Sequence, residues 1–255
     1  DHVLRFQDLI PHANYQLATY ALAELFTRKD EAEIAELRKA GQAIDAVHAQ
    51  VPKLLQPGRT EAEVAQKLEE LILQEHIVID FVIVGSGPNG ANPHHSFSDR
   101  VLAEGEPVVV DIGGTLPSGY HSDCTRTYVV GGDVSKAPQD FQDAHAVLAD
   151  AQAAARAAAH PGSTAAEIDA ITRKAIAAAG WGDNFVHRTG HGIGLSTHEE
   201  PFIMEGNDLT LEEGMAFSIE PGIYVEGKWG MRLEDIVVLT SDGYESLNLA
   251  PREVR

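Results

Sequence analysis

Four carboxylates in this chain fall into two matched pairs, and such a set can bind metal. Residues 102–111 read LAEGEPVVVD and residues 211–220 read LEEGMAFSIE. In each, a Leu, a Glu-Gly turn and an apolar run lead to a carboxylate, Asp111 or Glu220. Gly-rich sequence and a second carboxylate follow: Asp123 in YHSDCTRTYVV and Glu234 in GMRLEDIVVL. Asp111 and Glu220 lie 109 residues apart, Asp123 and Glu234 111 apart. The pattern predicts a duplicated unit folded about a pseudo-twofold axis, with the acids meeting at its centre. His191, in TGHGIG, is a fifth candidate ligand; the equivalent first-half position is Gly87.

Four ionised carboxylates at one centre repel each other unless cations neutralise them. Two divalent ions do so. Carboxylate-rich, thiol-free ligation suits Mn²⁺, Co²⁺ or Fe²⁺ and admits Zn²⁺. A structural zinc site more usually uses cysteines. Two ions ~3.5–4 Å apart hold a bridging hydroxide and polarise a carbonyl, so the expected reaction is hydrolysis of an amide or ester. Taken singly, Asp111 and Glu220 read as strand-end caps, Asp123 and Glu234 as ordinary strand residues, and His191 as a loop histidine. Duplication in register outweighs those readings. Cys124 follows Asp123, so it faces the other side of the strand and reads as core rather than nucleophile. The GSGPNG stretch from Gly85 lacks the ending of a phosphate loop and the glycine spacing of a dinucleotide loop.

The elements that must position these residues repeat as well. Residues 57–64, PGRTEAEV, match residues 161–168, PGSTAAEI, at an offset of 104. Each copy has Thr followed three residues later by Glu, which predicts a capped helix start. The same offset carries His94, in NPHHSF, onto His198, in STHEEP. His95, His121 and His187 read as loop histidines.

Residues 1–27 form a lead-in outside the repeat. A helix opens at Lys29-Asp30-Glu31 with Ile34, Leu37, Ile44 and Val47 on one face. A second helix is expected over 61–75. A strand over 78–84 ends at a loop, and strands over 107–112 and 120–130 follow. The Ala-rich 141–159 stretch and its successor 164–179 are helical. Strands are expected over 215–220 and 231–239. The result is an α+β architecture, a curved antiparallel sheet backed by helices.

Composition sets outer bounds. At 255 residues and 44% apolar, the chain can bury a large core. No run approaches the ~20 apolar residues of a membrane span. The single cysteine excludes an intrachain disulfide and fits a reducing, cytoplasmic setting. A net charge of −20 argues against nucleic acid, which needs a basic face. A chain opening at Asp1 without a secretory signal is expected to be a processed or cloned fragment.

In order and spacing, NPHHSFSDR, VVVDIGG, YHSDCTRTY, HRTGHGIGLSTHEEP, SIEPGIY and MRLEDIVVL resemble the pita-bread metallopeptidases. That family includes prolidase, aminopeptidase P and methionine aminopeptidase, with creatinase a metal-free relative. The resemblance covers roughly residues 28 to 250 and is strongest to the prolidase and aminopeptidase P branch. It implies a pita-bread catalytic domain over 28–255. Residues 1–27 would then be the remnant of an amino-terminal domain.

The resemblance also implies roles. Asp111 would bind one ion, His191 and Glu220 the other, and Asp123 and Glu234 would bridge both. Mn²⁺ is the first expectation for the two ions. Glu220 would shuttle the proton from the bridging water. His94 and His198 would contact substrate and the tetrahedral intermediate, and Arg232 and His187 would line the pocket. Substrates would be short proline-containing peptides, and the intact protein a homodimer. A creatinase-like enzyme would lack the five ligands, and a binding module reusing the fold would lose them too. Methionine aminopeptidase is the nearest competitor; the NPHH motif, the HRTGHGIG context and Arg232 favour the proline branch.

Overall fold

A computed structural model describes residues 2–255, apart from the side chains of residues 19–21. The lead-in holds two helices, α1 (His2–Leu9) and α2 (Ala18–Thr27). The first half then runs α3 (Glu31–His48), α4 (Val51–Leu54), α5 (Glu61–Ile72), β1 (Val78–Ser86), β2 (Pro107–Thr115) and β3 (His121–Val129). The second runs α6 (Gln139–Ala158), α7 (Ala165–Ala178), β4 (Gly190–Gly192), β5 (Glu199–Ile203), β6 (Ala216–Ile219), β7 (Gly222–Val225), β8 (Trp229–Arg232), β9 (Asp235–Thr240) and β10 (Gly243–Ser246).

The helix starts follow from local chemistry. Thr60 accepts from the Glu63 N–H while Glu63 reaches back to the Thr60 N–H; Thr164 and Glu167 do the same on α7. Asp30 and Glu33 form the corresponding box on α3. Each satisfies donors that a bare helix end would leave open.

The duplication is visible in the backbone. Gly58 N–H donates to Leu102 O, and Leu102 N–H to Arg59 O. At the mated positions, Gly162 N–H donates to Leu211 O, and Leu211 N–H to Ser163 O. Thus the Pro-Gly turn before each capped helix is laced to the Leu that opens each carboxylate-bearing segment.

All strand pairs are antiparallel, in sheets of order β1-β2-β3, β10-β9-β6-β4-β5 and β7-β8. One expected strand is corrected. Residues 231–239 break at Leu233-Glu234, so β8 pairs with β7 while β9 pairs with β6 and β10. Helices α3 and α5 bury Ile44, Val47, Val64 and Leu68 against Val84, Val110, Ile112 and Cys124 of β1–β3. Ala155, Ile168, Phe217, Ile219 and Val237 form the matching layer of the second half. These layers occupy one face of each sheet and leave the other for the acids.

Candidate metal centre

Strand register places the carboxylates. Asp111 pairs with Thr125, and Gly113 with Asp123, across β2 and β3. Residues 111 and 113 share a face, so Asp111 and Asp123 are diagonal neighbours on it. Ile112 and Cys124, one residue on, pair on the core face as expected. In the second half Ile219 pairs with Asp235. Continued by one residue, that register sets Glu220 directly against Glu234. The two-residue difference between the repeat offsets is therefore one pleat period, and it leaves all four acids on the inner face.

His191 reaches the same place because its neighbours are glycines. Strand β4 is squeezed between β5 and β6. A Cβ on Gly190 would lie 1.9 Å from Ser218 O, and one on Gly192 2.2 Å from Glu200 O. The His191 ring donates from Nδ1 to Gly192 O at 3.0 Å, which leaves the Nε2 lone pair free. Nε2 faces Glu220 Oε1 at 3.3 Å and Asp123 Oδ2 at 3.6 Å. Burial, helped by the nearby His198, pushes the imidazole down to about 3, so it is neutral.

Ligand-capable atoms of Asp123, His191 and Glu234 lie within 4.8 Å of one another. Asp111 Oδ1 and Glu234 Oε1 are buried without a hydrogen-bond partner among the described residues. Burial, and then repulsion from neighbouring acids, holds the Asp123 and Glu234 carboxyls far above the usual range. Burial lifts Glu220 to about 7, with the Arg232 charge opposing it. A neutral imidazole, orphaned carboxylate oxygens and mutually repelling acids fit divalent cations, whose charge would relieve all of these strains.

A cavity of about 1090 Å³ opens over these residues. It is lined by all five, and also by His94, His187, His198 and Arg232. The mated histidines are both exposed, and the His198 ring lies 4.1 Å from His191, centroid to centroid. Arg232 is buried and bonded at all three nitrogens: Nη2 donates to Asp111 Oδ2 at 2.6 Å, Nη1 to Tyr224 Oη at 2.7 Å and Nε to Thr125 Oγ1 at 3.1 Å.

Comparison with known proteins agrees with this geometry. The model of metallopeptidase family M24 matches residues 35–241. The chain belongs to metallopeptidase family M24. It is 57% identical over 239 residues to the "Probable dipeptidase PepE" of Mycobacterium tuberculosis, covering 93% of this chain and 63% of that one. It is 42% identical to the Xaa-Pro dipeptidase of Lactobacillus delbrueckii subsp. lactis, covering 92% and 63%. It superposes on the prolidase from Pyrococcus furiosus with a TM-score of 0.87 at 37% identity, covering 91% of this chain and 68% of that structure. The chain thus spans about 63% of the length of these curated relatives. Its fold is the pita-bread fold of the M24 enzymes.

Within this M24 chain, three further residues support the site: Tyr224 and Ser218 of SIEPGIY and Thr125 of YHSDCTRTY. Tyr224 Oη sits 2.9 Å from His187 Nε2, whose other nitrogen donates to Arg188 O. Thr125 Oγ1 donates to Glu234 Oε2 at 2.7 Å, and Ser218 Oγ to Glu220 Oε1 at 3.1 Å. Period two could have found Thr125 and Ser218, because each lies two residues from a candidate ligand and shares its face. His187 is held on the pocket wall rather than in a free loop. His95 bonds Glu61 and His121 bonds Asp80; neither lines the cavity.

Proposed function

We propose that the chain is the catalytic part of a two-metal exopeptidase that hydrolyses Xaa-Pro bonds, as an Xaa-Pro dipeptidase or an Xaa-Pro aminopeptidase. The observation carrying this reading is the buried cluster of four acids and one neutral histidine, with orphaned oxygens on Asp111 and Glu234, lining a peptide-sized cavity. Relatives named Xaa-Pro dipeptidase and prolidase support the substrate class.

In this reading Asp111 would hold one ion, His191 and Glu220 would hold the other, and Asp123 and Glu234 would serve both. Mn²⁺ is the first choice, with Co²⁺, Zn²⁺ and Fe²⁺ as alternatives. The chemistry such ions supply when bound is Lewis acidity toward a carbonyl and toward water.

The chain's own groups do the rest. His94 and His198 approach from opposite halves and donate hydrogen bonds to charge developing on the scissile carbonyl oxygen. Glu220 accepts a proton from the attacking water and passes it to the leaving nitrogen. Proline nitrogen in a peptide bond carries no N–H, so the pocket has no donor to satisfy there. Arg232 and Tyr224 hold Asp111 and His187 in place. The lone buried Cys124 fits a cytoplasmic enzyme.

The test is a panel of Xaa-Pro dipeptides, Xaa-Pro tripeptides and Met-Ala peptides, with metal content measured in parallel. Xaa-Pro cleavage that rises with bound Mn²⁺ is expected. Cleavage of Met-Ala alone would reassign the chain to the methionine branch. Metal uptake without cleavage of any peptide would make it a binding module.

A further inference from the structure

The cavity carries an unused cation. Six carboxylates line it, those of Glu69, Asp80, Asp111, Asp123, Glu220 and Glu234, against two guanidiniums, Arg188 and Arg232. Arg232 spends its nitrogens on Asp111, Tyr224, Thr125 and the Pro93 carbonyl. The Arg188 side chain makes no hydrogen bond or ion pair among the described residues, and its Nε is buried without a partner.

Arg188 is nonetheless held in place. Its guanidinium carbon stacks 4.9 Å from the centroid of the Phe202 ring on β5. The backbone on either side is tied to α7. Arg173 donates to His187 O at 3.0 Å, and Thr189 donates its N–H and hydroxyl to Asp169 Oδ1 at 3.1 and 2.8 Å. Arg173 and Asp169 are themselves joined by two hydrogen bonds. A guanidinium fixed by stacking and presenting open donors is matched to a planar anion.

We propose that Arg188 binds the free α-carboxylate of the substrate and so makes this site a dipeptidase site. The assignment rests on the reading of the chain as an Xaa-Pro peptidase and settles which of its two forms applies. Beside the acids that would hold the two ions, a free carboxylate is best met by a cation not already bonded; every nitrogen of Arg232 is bonded within the protein, whereas Arg188 is open. A longer peptide would put a neutral amide against Arg188 and leave the guanidinium unpaired, which disfavours it.

The experiment compares Ala-Pro with Ala-Pro-amide on the Mn²⁺-loaded protein, in wild type, Arg188→Met and Arg188→Lys. Calorimetric binding of both peptides is measured alongside, and circular dichroism checks each variant's fold. Wild type should favour the acid, and Arg188→Met should lower the acid-to-amide ratio of kcat/KM by about 10- to 100-fold, the size of a lost charge-assisted contact. The loss should fall mainly on KM. Arg188→Lys should keep part of the preference, because it keeps the charge but not the fork. No preference in wild type, or one that survives in Arg188→Met, overturns the assignment. If wild type cleaves neither peptide yet binds the acid in an Arg188-dependent way, the peptidase reading fails while Arg188 stands. Equal binding of acid and amide overturns Arg188 as well.

Discussion

Lys29 and Glu199, 170 residues apart, form a buried ion pair at the start of β5, immediately after His198. Their side chains are 2% and 8% exposed. Lys29 Nζ also donates to Phe26 O, and the Lys29 N–H donates to Gly214 O at 2.8 Å. The pair explains the last glycine of GHGIG. A Cβ on Gly194 would meet Glu199 Oε1 at 2.8 Å and Lys29 Nζ at 3.0 Å. The strand that follows His198, which lines the cavity, is thus anchored to the segment that opens α3.

Lys29→Met should therefore destabilise the protein by about 3–5 kcal/mol, because it leaves Glu199 buried without a counter-charge. Urea unfolding reads this directly. The double variant Lys29→Met/Glu199→Gln should recover part of the loss. A single-variant effect below about 1 kcal/mol, the range of an exposed pair, would show that water reaches the site.

The other mated histidine is anchored from the opposite polarity. Glu61, buried at the start of α5, accepts from Ser86 N–H and Oγ, Asn89 Nδ2, Ser98 Oγ and His95, the residue after His94. Burial alone would raise the Glu61 carboxyl, but the hydrogen bonds from Ser86, His95 and Ser98 outweigh it and hold it below the usual range. A carboxyl lowered on folding adds stability above its unfolded value, and that stability is lost as pH falls through the folded one. Glu61→Gln should cost about 1.5–3 kcal/mol at neutral pH, as for lost hydrogen bonds to a charge. Its denaturation midpoint should also fall less steeply than wild type's below about pH 4.3, the ordinary Glu value. Parallel acid titrations would count against this account.

The paired carboxylates were legible because a period of two and a duplication leave the same mark twice. The difference between offsets of 109 and 111 meant nothing until the register showed one pair diagonal and the other directly opposed. Strand β4 reads as a loop because Gly190 and Gly192 have low strand propensity; it is a strand because only glycine fits between its neighbours. The break at Leu233-Glu234 lies inside the stretch MRLEDIVVL and arises from a change of partner strand, which no local pattern records. Tyr224 and Arg188 lie inside SIEPGIY and HRTGHGIG, but the groups they meet, His187 and Arg232 for one and Phe202 for the other, come from other segments, so no local pattern gives either a role.

Asp123→Ala and Glu234→Ala should each abolish turnover and loosen both ions, since the proposed bridging groups touch both. Cys124→Ser should leave turnover near wild type, because the thiol lies in the core layer behind the sheet. Metal analysis after dialysis, with steady-state kinetics, checks all three. Full occupancy and rate in Glu234→Ala would exclude a bridging role.

His94→Ala and His198→Ala should keep their metal and lose rate by ~10²–10³, the effect of removing an oxyanion donor. Unchanged rates would return both to ordinary loop histidines. Loss of one ion in either variant would promote that histidine to a ligand.

Arg232→Met tests whether the hydrogen-bond shell governs the centre. The guanidinium ties Asp111 to Tyr224 and, through Thr125, to Glu234, so it orients groups from both halves. Its removal should lower metal affinity about 10- to 100-fold, as for other groups that orient ligands from behind. Tyr224→Phe removes the hydroxyl that bonds Arg232 and His187 but leaves the Asp111 and Thr125 contacts intact, so its effect on affinity should be smaller. Titration of Mn²⁺ into both metal-free variants orders them. Should Tyr224→Phe weaken binding as much as Arg232→Met, the hydroxyl rather than the Arg232–Asp111 contact would be the group that fixes the centre.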